Sequence, residues 1–175
     1  MPRRYWLLIA LAIASLAIGA AARALLWWNY GAAAGVGALA LPALLAGGLV
    51  NDAIVALYLF APLALYTALL PDRWYRTGLN RRILAAGSWL TVFGLVYLAV
   101  VESYFFQEFD SRFNLVAFDY LAYPTEVAGD VWAEYPVLWA ALASAAVASI
   151  AFWWLRRRVG DGIEAPAGRR ERLRP

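Results

Sequence analysis

The segment Tyr5–Trp28, YWLLIALAIASLAIGAAARALLWW, carries a single charge, Arg23, in 24 residues. As a helix rising 1.5 Å per residue it reaches about 36 Å, enough for a hydrocarbon core about 30 Å thick. Arg3 and Arg4 precede it, and Ala20-Ala21-Ala22 resembles a cleavage site. The apolar stretch nevertheless outruns the about 7–15 residues of a signal peptide, so it reads as an uncleaved anchor. Arg23, near its far end, is expected to snorkel to the interface beside Trp27 and Trp28.

Three more such runs follow: Ala53–Leu70, Ile83–Val101 and Val137–Leu155. Across the 175 residues, 64% are hydrophobic and 15% are charged, against about 25% charged in an average soluble domain. A soluble fold of this size cannot hide so much apolar surface. The composition excludes intrinsic disorder and a polyanion-binding basic domain, and it indicates an integral membrane protein. The chain has no Cys and no His, which removes disulfides, thiol nucleophiles, Cys-ligated zinc and the commonest general base.

A fifth apolar piece, Ala32–Leu49, is broken by Pro42 and Gly47-Gly48. Periodicity leaves its role open, but charge decides whether it spans. With four spans and a cytoplasmic N-terminus, 13 of the 15 arginines lie inside, at the N-terminus, in Pro71–Arg82 and in Arg156–Pro175. The outer loop, residues 102–136, then holds one cation, Arg112, and seven acids. A fifth span would move eleven arginines to the wrong side, against the positive-inside rule. Residues 32–49 are therefore read as a re-entrant or interfacial segment, or as an extension of the second helix. The expected fold is an all-α membrane protein with four transmembrane helices (about 5–28, 53–70, 83–101 and 137–155). Residues 1–155 form the membrane domain and residues 156–175 an Arg-rich cytoplasmic tail near anionic lipid.

Asp52, at the mouth of the second run, reads in two ways. It is an intramembrane functional acid, or it forms with Asn51 an N-cap for the second helix. The tryptophans fall mostly near run ends, as interfacial belt residues do.

In the outer loop, Phe105, Phe109, Phe113, Val116 and Tyr120 recur every three or four residues. That spacing predicts a periplasmic amphipathic helical loop with an aromatic stripe in the headgroup layer. Glu108 and Arg112 stand four apart with the acid first, the better order for a helical pair. Pro124 breaks the pattern, and Thr125-Glu126 opens a second short helix. The seven acids lack the spacing of a calcium loop, so a solvated or headgroup-facing acidic surface is the simpler reading.

The run Glu108-Phe109, Arg112-Phe113-Asn114, Asp119-Tyr120-Leu121, Tyr123, Glu126-Val127 and Tyr135-Pro136 resembles the outer loop of proteobacterial LTA synthase-like sulfatases. That group of the alkaline phosphatase superfamily includes lipoteichoic acid synthases and phosphoglycerol transferases. Gly48-Leu49-Val50-Asn51-Asp52 is similar as well, while Pro124, Asp130 and Glu134 depart from the family pattern. The resemblance covers most of this chain and only the front of a family protein. It implies five N-terminal helices followed by an extracytoplasmic catalytic domain. That domain uses a Thr nucleophile, a divalent metal (manganese or magnesium) held by Asp, Glu and His, and phosphatidylglycerol as donor. The chain matches the first four helices, so no cofactor and no catalytic residue are carried over to it, and alone it is expected to be inactive.

The resemblance implies an anchor in the bacterial inner membrane, with both termini cytoplasmic, that positions lipid for the catalytic domain. Arg112 is the natural partner of a lipid phosphate; its competing role is an internal bridge to Glu108 or Asp110. Asn114, Asp119, Tyr120, Tyr123 and Glu126 would contact a lipid head or dock the loop against a catalytic domain or a separate catalytic chain. Two other classes remain open. One is a free-standing accessory or regulatory membrane protein; the other is a transporter bundle with Asp52 and Glu102 lining a path.

Overall fold

The computed structural model describes residues 5–113 and 122–164. Helix α1 is Trp6–Tyr30, α2 is Leu41–Leu69 after a 3-10 turn at Ala38–Ala40, and α3 is the short Asp72–Tyr75. Helix α4 is Gly78–Phe109, α5 is Pro124–Glu134 and α6 is Val137–Glu164. The described residues contain helix and no strand. Four helices are long and apolar enough to cross a membrane: Trp6–Tyr30, Ala38–Leu69, Gly78–Phe109 and Val137–Arg157.

Local chemistry explains where these helices begin and end. Pro42 lies in the first turn of α2, where a missing N–H costs nothing. Gly35, at φ 69°, supplies the left-handed step of the α1–α2 connection. Leu70 turns extended ahead of Pro71 and ends α2. The Thr77 hydroxyl accepts from the Asn80 N–H at 3.2 Å and caps α4.

Of the alternatives left open for residues 32–49, the extension of the second helix is the one adopted. From Leu41 onward the segment belongs to α2, and Gly47 and Gly48 lie inside that helix. Residues 32–40 make the connection between α1 and α2, with the 3-10 turn at Ala38–Ala40. The glycines do not break α2, because a backbone in lipid keeps its hydrogen bonds within the helix. The expectation that Asp52 caps a helix at this point is corrected by the same fact: Asp52 lies well inside α2. With 29 and 32 residues, α2 and α4 measure about 43 and 48 Å. They therefore tilt or project beyond a core of about 30 Å.

Helix α1 packs along α2, α4 packs along α6, and α1 also touches α4 and α6. Successive spans run antiparallel: Trp89 of α4 donates from Nε1 to Ser149 Oγ of α6 at 3.1 Å, while Tyr104 meets Tyr135 edge-on at 5.4 Å. One end of the bundle thus gathers the α1–α2 and α4–α6 connections, and with them most of the acids. The opposite end gathers the α2–α4 connection and the arginines Arg73, Arg76, Arg81, Arg82, Arg156 and Arg157. The buried apolar core, including Leu7, Leu11, Phe60, Tyr75, Leu84 and Leu155, is concentrated toward this Arg-rich end. There the Arg157 guanidinium stacks over Trp153 at 3.8 Å, as an interfacial cation–aromatic pair does.

Candidate functional site

At the acidic end two arginines are held by two carboxylates. Arg112 Nε donates to Glu102 Oε1 at 2.6 Å, and its Nη2 donates to Oε2 at 2.9 Å. This is the bidentate geometry that makes guanidinium–carboxylate pairs strong and directional. The turn after α4 creates it. Asp110 adopts φ 49° in the left-handed region, which a short polar side chain tolerates. The chain reverses, and Arg112 falls back along α4 to Glu102. The expected Glu108–Arg112 helical pair is therefore replaced, because α4 stops before Arg112. Arg112 does form an internal bridge, but with Glu102 rather than with Glu108 or Asp110. Glu108 instead accepts a long contact, 3.4 Å, from the Tyr135 hydroxyl.

The reversal also reshapes the aromatic stripe. Phe105 packs on Phe109 with centroids 4.5 Å apart and on Phe113 at 5.1 Å. The rings gather as the spacing suggested, but across a turn rather than along one helix. Asn114, Val116, Asp119 and Tyr120 lie outside the described residues. Tyr123 precedes α5, whose first turn holds Glu126; both are exposed. The Glu126 carboxylate suits the positive end of that helix.

The second pair was not anticipated. Arg23 of α1 donates from both Nη1 and Nη2 to the two oxygens of Asp52 on α2, the Nη2–Oδ1 bond measuring 2.6 Å. Their side chains are 11% and 19% exposed. Arg23, expected to reach the interface beside Trp27 and Trp28, is held across the helices by this carboxylate. Two glycines make room for the pair. A Cβ at Gly19 would come within 2.9 Å of Asp52 Cγ, and one at Gly48 within 2.6 Å of Arg23 Cδ. The sequence did contain this signal. Gly19 precedes Arg23 by four residues and Gly48 precedes Asp52 by four, so each helix presents a gap beside a charge.

Two recesses open at this end. One, of about 380 Å³, lies between α1, α2 and the end of α4, with Arg23, Trp27, Tyr30, Leu44, Asn51 and Arg112 in its wall. Tyr30 and Phe106, 4.9 Å apart, join α1 to α4 there. Trp27 Nε1 donates to the Val36 carbonyl at 3.2 Å and pins the α1–α2 connection over the recess. The other recess, of about 360 Å³, lies between α4, α5 and the start of α6, with Tyr104, Glu108, Asp130, Glu134 and Tyr135 among its lining.

Among the described residues, no group of three or more His, Asp or Glu side chains comes together in a way that could hold a metal ion. No protein family, curated protein or solved structure matches the chain.

Proposed function

We propose that this chain is the membrane-anchoring and lipid-positioning part of an LTA synthase-like sulfatase or phosphoglycerol transferase. It sits in the bacterial inner membrane with its Arg-rich end in the cytoplasm. The chemistry belongs to an extracytoplasmic catalytic domain that residues 1–175 do not carry, or to a separate catalytic chain. In this role the helices fix the height of the outward end relative to the headgroups. Arg112 presents its remaining N–H groups to a lipid phosphate such as that of phosphatidylglycerol. The observation that carries the reading is the bidentate Glu102–Arg112 pair: it holds the outer loop's single cation rigidly at the membrane-facing end of α4.

A transport path finds less support. Asp52 and Glu102 are each engaged by an arginine, and the Arg-rich half of the bundle is closed by buried apolar side chains.

Topology is tested with alkaline phosphatase fusions in a bacterial host. A fusion after Tyr123 is active, and fusions after Gly78 and Pro175 are silent. Activity at Gly78 inverts the whole bundle and removes the lipid-positioning role from Arg112.

A further inference from the structure

We infer that the recess between α1, α2 and the end of α4 binds the phosphodiester headgroup of an anionic glycerophospholipid, with Arg23 as its deep ligand and Arg112 at its rim. The inference rests on the outward orientation proposed above, but it moves the recognition site from the loop into the helix bundle.

Both guanidiniums line this recess, while the carboxylates that hold them, Asp52 and Glu102, are not among its lining residues. Each ion pair therefore acts as a dipole with its positive end toward the recess. A guanidinium has five N–H donors, and each bidentate pair uses two, so three remain on each arginine. The carboxylates fix the planes of those donors in advance, which lowers the ordering cost of binding an anion. Arg23 is 11% exposed against 42% for Arg112, so one cation sits deep and the other at the mouth. Asn51, from α2, adds a neutral amide to the lining.

The rest of the lining explains why the anion is a lipid's. Leu26, Trp27, Tyr30, Leu44 and Phe106 form an apolar wall, suited to a glycerol backbone and the first methylenes of an acyl chain. Farther along the Gly48 face of α2, Val55 and Leu59 are apolar and exposed. Acyl chains can therefore lie along the helices where they would lie in the bilayer. Among the described residues the lining offers no carboxylate to receive a choline or ethanolamine ammonium, so an anionic headgroup is favoured over a zwitterionic one. The volume of about 380 Å³ falls in the range of about 300–1,000 Å³ typical of small-ligand pockets.

The test measures lipid retention by the purified full chain, using native mass spectrometry and nanodisc titration with phosphatidylglycerol and phosphatidylcholine. The wild-type chain retains phosphatidylglycerol preferentially. The neutral pair Arg23→Gln with Asp52→Asn lowers that preference at least about tenfold, the factor that about 1.4 kcal/mol represents. Ala34→Trp, which adds bulk at an exposed lining position and changes no charge, lowers it too. Arg76→Gln, exposed at the opposite end, leaves it unchanged. Circular dichroism and thermal unfolding establish that each variant is folded, and Ala34→Trp answers the question if the paired variant does not fold.

Glycerol 1-phosphate competes at least about a hundredfold more weakly than the lipid; equal competition overturns the lipid as source. If the preference survives both recess variants yet disappears in Arg112→Ala, the recess is overturned while lipid positioning by the outer loop stands. If the wild-type chain shows no preference for phosphatidylglycerol, both readings fall.

Discussion

The two ends of the bundle solve the same packing problem with opposite chemistry. At the Arg-rich end, Leu7, Leu11, Phe60, Tyr75 and Leu84 form a dry core. The polar groups buried there, Thr67, Asn80 and Ser88, are neutral and hydrogen-bonded. The Tyr66 hydroxyl donates to Asn80 Oδ1 at 2.6 Å, and Asn80 Nδ2 donates to the Tyr75 carbonyl at 2.8 Å. The arginines stay at the surface, some on aromatic rings. At the acidic end the helices meet through ion pairs, glycines and aromatic edges, and recesses remain open. Neutral hydrogen bonds close an end; ion pairs hold side chains in place and leave donors to spare. The first arrangement suits a structural foot and the second a surface that meets a ligand.

The largest effect expected from breaking this contrast is at Arg23. Arg23→Ala strands Asp52 as an unpaired charge between α1 and α2, which costs about 3–5 kcal/mol. Reversible unfolding in mixed micelles measures it, and adding Asp52→Asn to that variant restores most of the loss. If the single and double variants are equally stable, the pair contributes little to holding the acidic end.

A smaller loss is expected at Gly48→Ala. The new methyl group cannot share space with the Arg23 side chain, so α1 and α2 must separate or the pair must rearrange, at about 1–3 kcal/mol. The same change at Gly47, where a Cβ meets nothing within 4 Å, should be neutral or slightly stabilising by helix propensity. Equal effects at the two glycines would remove the close approach from the explanation.

The smallest effect belongs to the opposite end. Tyr66→Phe removes one neutral hydrogen bond to Asn80, and hydrogen bonds within membrane bundles average about 0.6 kcal/mol. Thermal unfolding should register little change. A loss as large as that of Arg23→Ala would make the two ends energetically alike and end the comparison.

The spans were legible in the sequence because an unbroken apolar run reads directly as a lipid-facing helix, and the arginine distribution excluded a fifth crossing. What was misread shares a cause. Gly47-Gly48 and Pro42 were weighed as they would be in water, where they end helices. In α2 the proline sits in the first turn, and Gly48 is a vacancy facing Arg23. Asp52 therefore read either as a cap or as an intramembrane acid, and it is internal to α2. At Arg112 the error ran the other way: the helical spacing from Glu108 was extended through a turn. Asp110 takes a left-handed conformation there, and nothing in the local pattern of apolar residues announces it. Of the site residues, Arg112 has its internal bridge to Glu102 rather than to Glu108 or Asp110, Tyr123 and Glu126 fall at the start of α5, and Arg23 pairs with Asp52 across the helices. Pairing across helices depends on two segments 29 residues apart, and hydropathy, read one segment at a time, does not carry it.

The reciprocal fit of Gly19 to Asp52 and of Arg23 to Gly48 also bears on how the chain enters the membrane. Inserted one at a time, α1 and α2 would each carry an uncompensated charge toward hydrocarbon, at less than the about 2.5–3.5 kcal/mol that such a charge costs at the centre of a span. Inserted together as a hairpin about the Gly31–Gly37 turn, they carry a closed ion pair whose charges cancel. The pairing that holds the folded bundle thus favours concerted over sequential insertion. A chain stalled after α1 should remain more weakly anchored than its hydropathy indicates until Asp52 has emerged.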